Sequence, residues 1–269
     1  MKTRQLVVAA LCGASLLAVP ASAQQTDFTF HSPLAEDWYQ ASQFFEWTST
    51  TANNNGQSVQ VAYRTFGSRT NPALVLLHGY PASSFDFREM IEFLEDDYFV
   101  ATLDFPGFGF SDKPQGGYSY MLEDDAKLVD HYVTDILGLT SFSLFTHDRG
   151  VSVGLAFLSD YLSNESNPYE VTYHFMSNSG MFLPLANLFP QQTVLLDPVR
   201  GPAETARRQA LPRRTEGTPV QLAYADIEAF NDGIGARLGV GKYLLERVAN
   251  EYRWLAILPS SPIPVAYIW

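Results

Sequence analysis

Ser141-Phe142-Ser143-Leu144-Phe145-Thr146-His147-Asp148-Arg149-Gly150-Val151-Ser152-Val153-Gly154-Leu155-Ala156-Phe157 is the stretch on which the fold turns. Up to Phe145, apolar and polar residues alternate as in a half-buried strand; from Val151 the apolar positions are compatible with a helix. The chain must therefore pass from strand to helix within one sharp turn around Asp148. Such a turn presents its central side chain at the end of the strand and needs small neighbours two residues before and two after, here Thr146 and Gly150. A second register overlaps the first. Gly150-Val151-Ser152-Val153-Gly154 is a literal Gly-x-Ser-x-Gly, which would present Ser152 if the strand ran on through His147, Asp148 and Arg149. The strand pattern stops at Phe145, which favours Asp148; a third reading leaves Asp148 as a simple helix cap.

Upstream, Ala73 to Leu77 is a continuous apolar run, as expected of a strand covered on both faces, and it leads into His78-Gly79-Tyr80-Pro81. A second such strand, Tyr98 to Leu103, ends in the loop Asp104 to Pro114. Gly107 and Gly109 hint at a dinucleotide site, but Asp112 stands where the third glycine belongs and no helix starts there, so no cofactor is expected. Phe45 to Thr50 and Ser58 to Phe66 flank a strong turn signal and predict a hairpin at one sheet edge. Helical spacing recurs at Phe87, Met90, Ile91 and Leu94, and again from Leu122 to Leu137, where Gly138 closes the helix. Val171 to Asn178 reads as a further strand. The order is hairpin, then β, α, β, α, β, α, β, which predicts an α/β fold: a mostly parallel sheet with helices on both faces.

The flanks are less regular. Residues 24–44 show no clear period and read as an arm wrapping the domain. From Phe182 to Ala256, prolines break up short amphipathic pieces such as Gln221 to Phe230 and Tyr243 to Leu255, which predicts a helical insertion over the sheet. Arg200, Arg207, Arg208, Arg213 and Arg214 cluster there, either to recognise an anionic substrate or as a solvated face. Ile263 to Trp269 restarts a buried-strand pattern. The expected division is a signal peptide at 1–23, a core at 24–181, a helical cap at 182–256 and the start of a C-terminal core segment at 257–269.

Lys2 and Arg4, an apolar run from Leu6 to Val19 and Ala21-Ser22-Ala23 form a secretory signal with its cleavage site, which predicts a periplasmic or secreted protein beginning at Gln24. The apolar run is too short to span a membrane. The single cysteine, Cys12, lies inside that segment, so the mature chain has no disulfide, thiolate metal site or cysteine nucleophile, and no metal is expected. With 46% hydrophobic and 14% aromatic residues, burial alone can supply an adequate core. The formal charge of −12 argues against nucleic acid or an anionic membrane surface as partner. A small-molecule substrate is the expected partner.

Three motifs in this order are specific together: His78-Gly79-Tyr80-Pro81, the Asp104 to Pro114 loop, and His147-Asp148-Arg149-Gly150. They resemble the Asp-nucleophile branch of the α/β-hydrolase fold, comprising epoxide hydrolases and the haloalkane and fluoroacetate dehalogenases. The mesoderm-specific-transcript-like group is the most similar on this reading, with further likeness in Ser83 to Phe87, Ser177 to Gly180 and Asn231 to Gly233. The resemblance implies that Asp148 is a nucleophile forming an alkyl ester with substrate. An ordinary aspartate titrates near about 3.9 and can attack an sp³ carbon at neutral pH without a base. It further implies an oxyanion hole from the backbone N–H groups of Tyr80 and Arg149, Pro81 having none to give. His78, His147, the Arg149 side chain and the tyrosines Tyr224, Tyr243 and Tyr252 become candidate substrate contacts, cap tyrosines being the groups that protonate an opening epoxide oxygen in relatives.

The departures weigh too. Haloalkane dehalogenases usually have a halide-binding Trp after the nucleophile and Asn or Glu after His-Gly; here Arg149 and Tyr80 stand there. Fluoroacetate dehalogenases share Asp-Arg but carry a second arginine where this chain has Ser152. Epoxide hydrolysis is therefore the leading expectation, a haloacid or haloalkane dehalogenase the next, and a non-catalytic module or a Ser152 esterase the others. Hydrolysis of the ester needs a late histidine and an acid to orient it. The five histidines are His31, His78, His131, His147 and His174, none of them late, and Asn178 and Ser179 occupy one of the two places where relatives keep the acid. His131 is expected on the surface and His174 in the core. The sequence is accordingly expected to be truncated within its C-terminal core segment.

Overall fold

The computed structural model describes residues 28–269; the signal segment and its cleavage site lie outside the described residues. The chain opens with α1 (Pro33–Gln40), then β1 (Gln43–Thr48), β2 (Ser58–Phe66), β3 (Ala73–Leu77), α2 (Arg88–Leu94), β4 (Phe99–Leu103), α3 (Leu122–His131), β5 (Ser141–His147), α4 (Arg149–Ser163) and β6 (Glu170–Ser177). Five helices follow, α5 (Pro190–Leu196), α6 (Arg200–Gln209), α7 (Pro219–Ala229), α8 (Gly233–Val240) and α9 (Tyr243–Leu255), before β7 (Val265–Ile268). The strands form one sheet in the order β1-β2-β4-β3-β5-β6-β7. The β1–β2 and β2–β4 pairs are antiparallel and the rest parallel.

The α/β reading therefore holds, and its cause is visible in the burial. β3 and β4, sandwiched between helices, are continuous apolar runs, with Val75, Leu76, Leu77, Val100, Ala101 and Leu103 inaccessible to solvent. The β1–β2 edge alternates instead, Phe45 and Trp47 facing in while Glu46 and Thr48 face out. Gly138 closes the α3 helical stretch at φ +61°, in the left-handed region where glycine meets no steric penalty.

Residues 33–40 depart from the expected irregular arm by forming α1. Ser32 precedes Pro33, whose fixed φ suits the first helical position. Asp226 of α7 accepts from the N–H groups of His31 and Ser32 at 2.7 and 2.8 Å, so the amides at this end of α1 are satisfied by a side chain 194 positions away.

Candidate active site

β5 ends at His147 and α4 begins at Arg149, leaving Asp148 alone between them at φ +49°, ψ −113°. A non-glycine residue there is under backbone strain, which the surroundings must hold in place. They do so by close packing. A Cβ on Gly150 would stand 2.3 Å from the Leu77 carbonyl oxygen, and one on Gly79 would stand 2.5 Å from Asp148 Cβ. Both glycines are needed because strand ends and elbow touch through their backbones.

The Asp148 Oδ1 atom accepts from the backbone N–H of Tyr80 at 2.8 Å and of Arg149 at 2.5 Å. The carboxylate thus faces the N-terminus of the 15-residue α4, where the helix dipole favours negative charge. One oxygen is fixed by two donors from two loops.

Beside Tyr80 lies a cavity of about 350 Å³, lined by Tyr80, Pro81 and Asp86, by Phe108, Gly109 and Lys113 of the loop after β4, and by Tyr224, Glu228, Arg237 and Val240 of the helices between β6 and β7. Its wall after β4 hangs on Asp104. That carboxylate accepts from Ser84 N, Ser84 Oγ, Phe110 N and Arg64 Nη1 at 2.6 to 3.2 Å. Burial works to raise the Asp104 carboxyl, but Arg64 and the donated hydrogen bonds outweigh it and hold it below the usual range. Burial also lowers the Lys113 ammonium to about 7; its Nζ donates to Gly109 O at 2.6 Å and lies over the Phe230 ring.

Of the candidate substrate contacts, Tyr224 reaches the cavity, donating to Asp86 Oδ1 at 2.7 Å. Burial raises both partners, the phenol to about 12 with help from the adjacent carboxylate. Tyr243 is buried, its ring 5.6 Å from that of Tyr80 and its Oη accepting from Gln192. Tyr252 is 72% exposed and packs on Phe182, away from the cavity wall.

The Arg149 side chain departs from its expected role. It is fully buried, pairs with Asp125 Oδ2 at 2.5 Å and lies within 6 Å of the Phe105, Phe108 and Tyr243 ring centres, so its charge serves an internal ion pair. His78 is likewise occupied. One ring nitrogen bonds Gly79 O and the other accepts from Phe105 N, and burial lowers it to about 4. His147 is half-buried at the end of β5, opposite Ser177. His174 is a core residue bonded to Thr146 Oγ1 at 2.9 Å, and His31 contacts Asp226. His131 is less of a surface residue than expected: it bonds Asp135 while its ring packs on Phe45 and Trp47.

Ser152 lies one turn inside α4, fully buried, and is not presented. The residue that sequence reasoning missed is Arg247 of α9, which donates to Ser152 Oγ at 2.7 Å and to the Asp148 carbonyl oxygen at 3.3 Å. Its position in α9 marks it only as a buried face of an amphipathic helix; nothing local in the sequence points it at the elbow. The arginine cluster is mostly spent as well, Arg207 and Arg208 on Glu204 and Arg213 on Asp226 and Thr29.

A mostly parallel sheet with a strained residue between its central strand and the following helix defines an α/β hydrolase. The sequence agrees: residues 72–171 match the family described as alpha/beta hydrolase fold. "Putative hydrolase LipZ" of Mycobacterium tuberculosis is 34% identical over 215 residues, covering 76% of this chain and 73% of that one. The human "Mesoderm-specific transcript homolog protein" is 29% identical over 255 residues, 88% and 73% of the two chains. Among solved structures, haloalkane dehalogenase DbeA from Bradyrhizobium elkani superposes with a TM-score of 0.65 at 19% identity, covering 84% of this chain and 79% of that one. A "putative epoxide hydrolase" from Pseudomonas aeruginosa gives 0.60 at 20%, covering 85% and 78%. The chain belongs to the α/β-hydrolase fold family.

Proposed function

We propose that Asp148 is the nucleophile of this hydrolase and opens an epoxide to form a covalent ester. The observation that carries the reading is the pair of N–H donors on Oδ1. With that oxygen held, the other carboxylate oxygen attacks the epoxide carbon, the C–O bond of the ring breaks, and the released alkoxide takes a proton. Tyr224, from the cavity wall, is the proton donor in this reading. In the ester, Oδ1 becomes the carbonyl oxygen and the same two N–H groups stand ready for the oxyanion of hydrolysis.

Epoxides are favoured over haloacids because the Arg149 guanidinium, which would grip a carboxylate, is bound to Asp125. They are favoured over haloalkanes because no Trp follows Asp148. Incubation with a reactive aryl glycidyl ether, followed by intact and peptide mass spectrometry, should show one adduct per chain on Asp148 and none in Asp148→Asn. An adduct on Ser152, or diol formation that persists in Asp148→Asn, defeats the reading.

A further inference from the structure

The Asp148 carbonyl oxygen is held from three sides: by Val151 N at 3.1 Å, Ser179 Oγ at 3.0 Å and Arg247 Nη2 at 3.3 Å. Arg247 is only 2% exposed, and its other nitrogens are occupied, Nε by Ser152 Oγ at 2.7 Å and Nη1 by Gly180 O at 3.2 Å. The Tyr243 ring centre lies 4.9 Å from its Cζ. Among the described residues it forms no ion pair within 4 Å, so a full positive charge is buried against neutral acceptors. Burying an ion in this way is unfavourable, and an apolar side chain would pack α9 on α4 without that cost.

The geometry of the peptide group says what the charge does. In a planar trans peptide the C=O and N–H point in opposite directions, so fixing the Asp148 oxygen aims the Arg149 N–H. That N–H is the one that meets Asp148 Oδ1 at 2.5 Å. A cation at the oxygen end also polarises the amide and strengthens its donor end, the cooperative effect found in hydrogen-bond chains of low dielectric.

We infer that Arg247 is a positioning residue that aims and polarises the Asp148–Arg149 peptide, the source of one of the two N–H groups on the nucleophile. Its catalytic consequence rests on the covalent reading above; its effect on the amide does not. The inference also gives Ser152 a place: the serine of Gly-x-Ser-x-Gly anchors Arg247 Nε from α4. Ser179 and Gly180 complete the same clamp.

The test uses ¹⁵N-labelled protein and reads the amide protons of Arg149 and Tyr80. Arg247→Met should move the Arg149 resonance upfield, the sign of a weaker hydrogen bond, and leave that of Tyr80 in place; Arg247→Lys should recover part of the shift. The maximal rate of Asp148 alkylation should fall about tenfold in Arg247→Met, since the carboxylate is less firmly aimed, with the half-saturating epoxide concentration unchanged. Should Arg247→Met not fold, Ser152→Ala, which keeps the charge and frees Nε, should give a smaller shift of the same sign. An unmoved Arg149 amide in whichever of these variants folds overturns the inference. Absence of any adduct in the unaltered protein would instead sink the covalent reading, and the amide shifts would still decide the role of Arg247.

Discussion

Gly79 shows how narrow the tolerances around Asp148 are. Its hydrogen faces Asp148 Cβ across a space in which a methyl group would sit 2.5 Å away, and 3.0 Å from Oδ1 and from the His147 carbonyl. Gly79→Ala is therefore expected to push the carboxylate off its two donors. Displacements of about 1 Å from attack geometry cost about 100-fold, so alkylation should slow by that order while the circular dichroism of the sheet and helices is retained. Labelling rates followed by intact mass would check this, and a rate within twofold of the unaltered protein would count against the packing argument. At this scale the position of the elbow at Asp148 was legible in the sequence, because the strand pattern and its small neighbours are local, whereas Tyr80 entered only through the family resemblance. It was silent on where the Arg149 guanidinium goes. An arginine beside a nucleophile suggests a substrate contact, but Asp125, 24 residues away, reaches it in the fold and no local pattern reports that pairing.

Elements place the cavity, and two carboxylates tie those elements together. Asp104 fastens the loop after β4 to the segment before α2, with Arg64 of β2 as its ion-pair partner. Asp104→Asn leaves the Arg64 guanidinium buried beside a neutral amide, and breaking a buried pair from one side costs about 3–5 kcal/mol. Urea unfolding should register a loss of that size, with the slope of the transition unchanged. Asp226 does a comparable job between α7 and the start of α1, accepting from His31 N and Ser32 N and lying within 3.4 Å of Arg213. Asp226→Ala is expected to loosen α1 and the 219–229 helix together, seen as faster amide exchange at Ala35 and at Ala223, both of which are fully buried. Independent behaviour of the two would refute the coupling. Helix α1 escaped the sequence reading because it runs for only eight residues, about two turns; the Ser32-Pro33 start signal was there but too short to stand alone. The α7 and α9 helices were legible because they run for 11 and 13 residues, three turns or more, and α9 is clearly amphipathic.

For the whole molecule, acid stability turns on two histidines that lie far apart in sequence but flank the same strands. His78 follows β3 and His174 lies within β6, and burial holds both at about 4, below the ordinary 6.5. In the unfolded chain each takes up a proton near pH 6.5; in the fold neither does until the pH nears 4. The unfolded state thus binds more protons across that interval, so each group's contribution is fully present above pH 6.5 and is lost as the pH falls toward 4. Each should remove about 1.4 kcal/mol per pH unit inside the window, or roughly 3 kcal/mol in all. Two such groups approach the entire net stability of an ordinary domain, about 5–15 kcal/mol. Over pH 6.5 to 5 most carboxylates are already ionised, but Asp125, raised by burial to about 7, holds a proton in the fold that it lacks in the unfolded chain and so offsets one histidine. Urea unfolding free energies at pH 6.5, 6.0, 5.5 and 5.0 should still fall in the unaltered protein, because two histidines outweigh the one carboxyl. His174→Gln keeps a polar group for Thr146 Oγ1 but cannot take up a proton, and should lower the slope by about 1.4 kcal/mol per pH unit. An unchanged slope would mean that His174 is protonated in the fold, which its buried Nδ1 with no hydrogen-bond partner argues against.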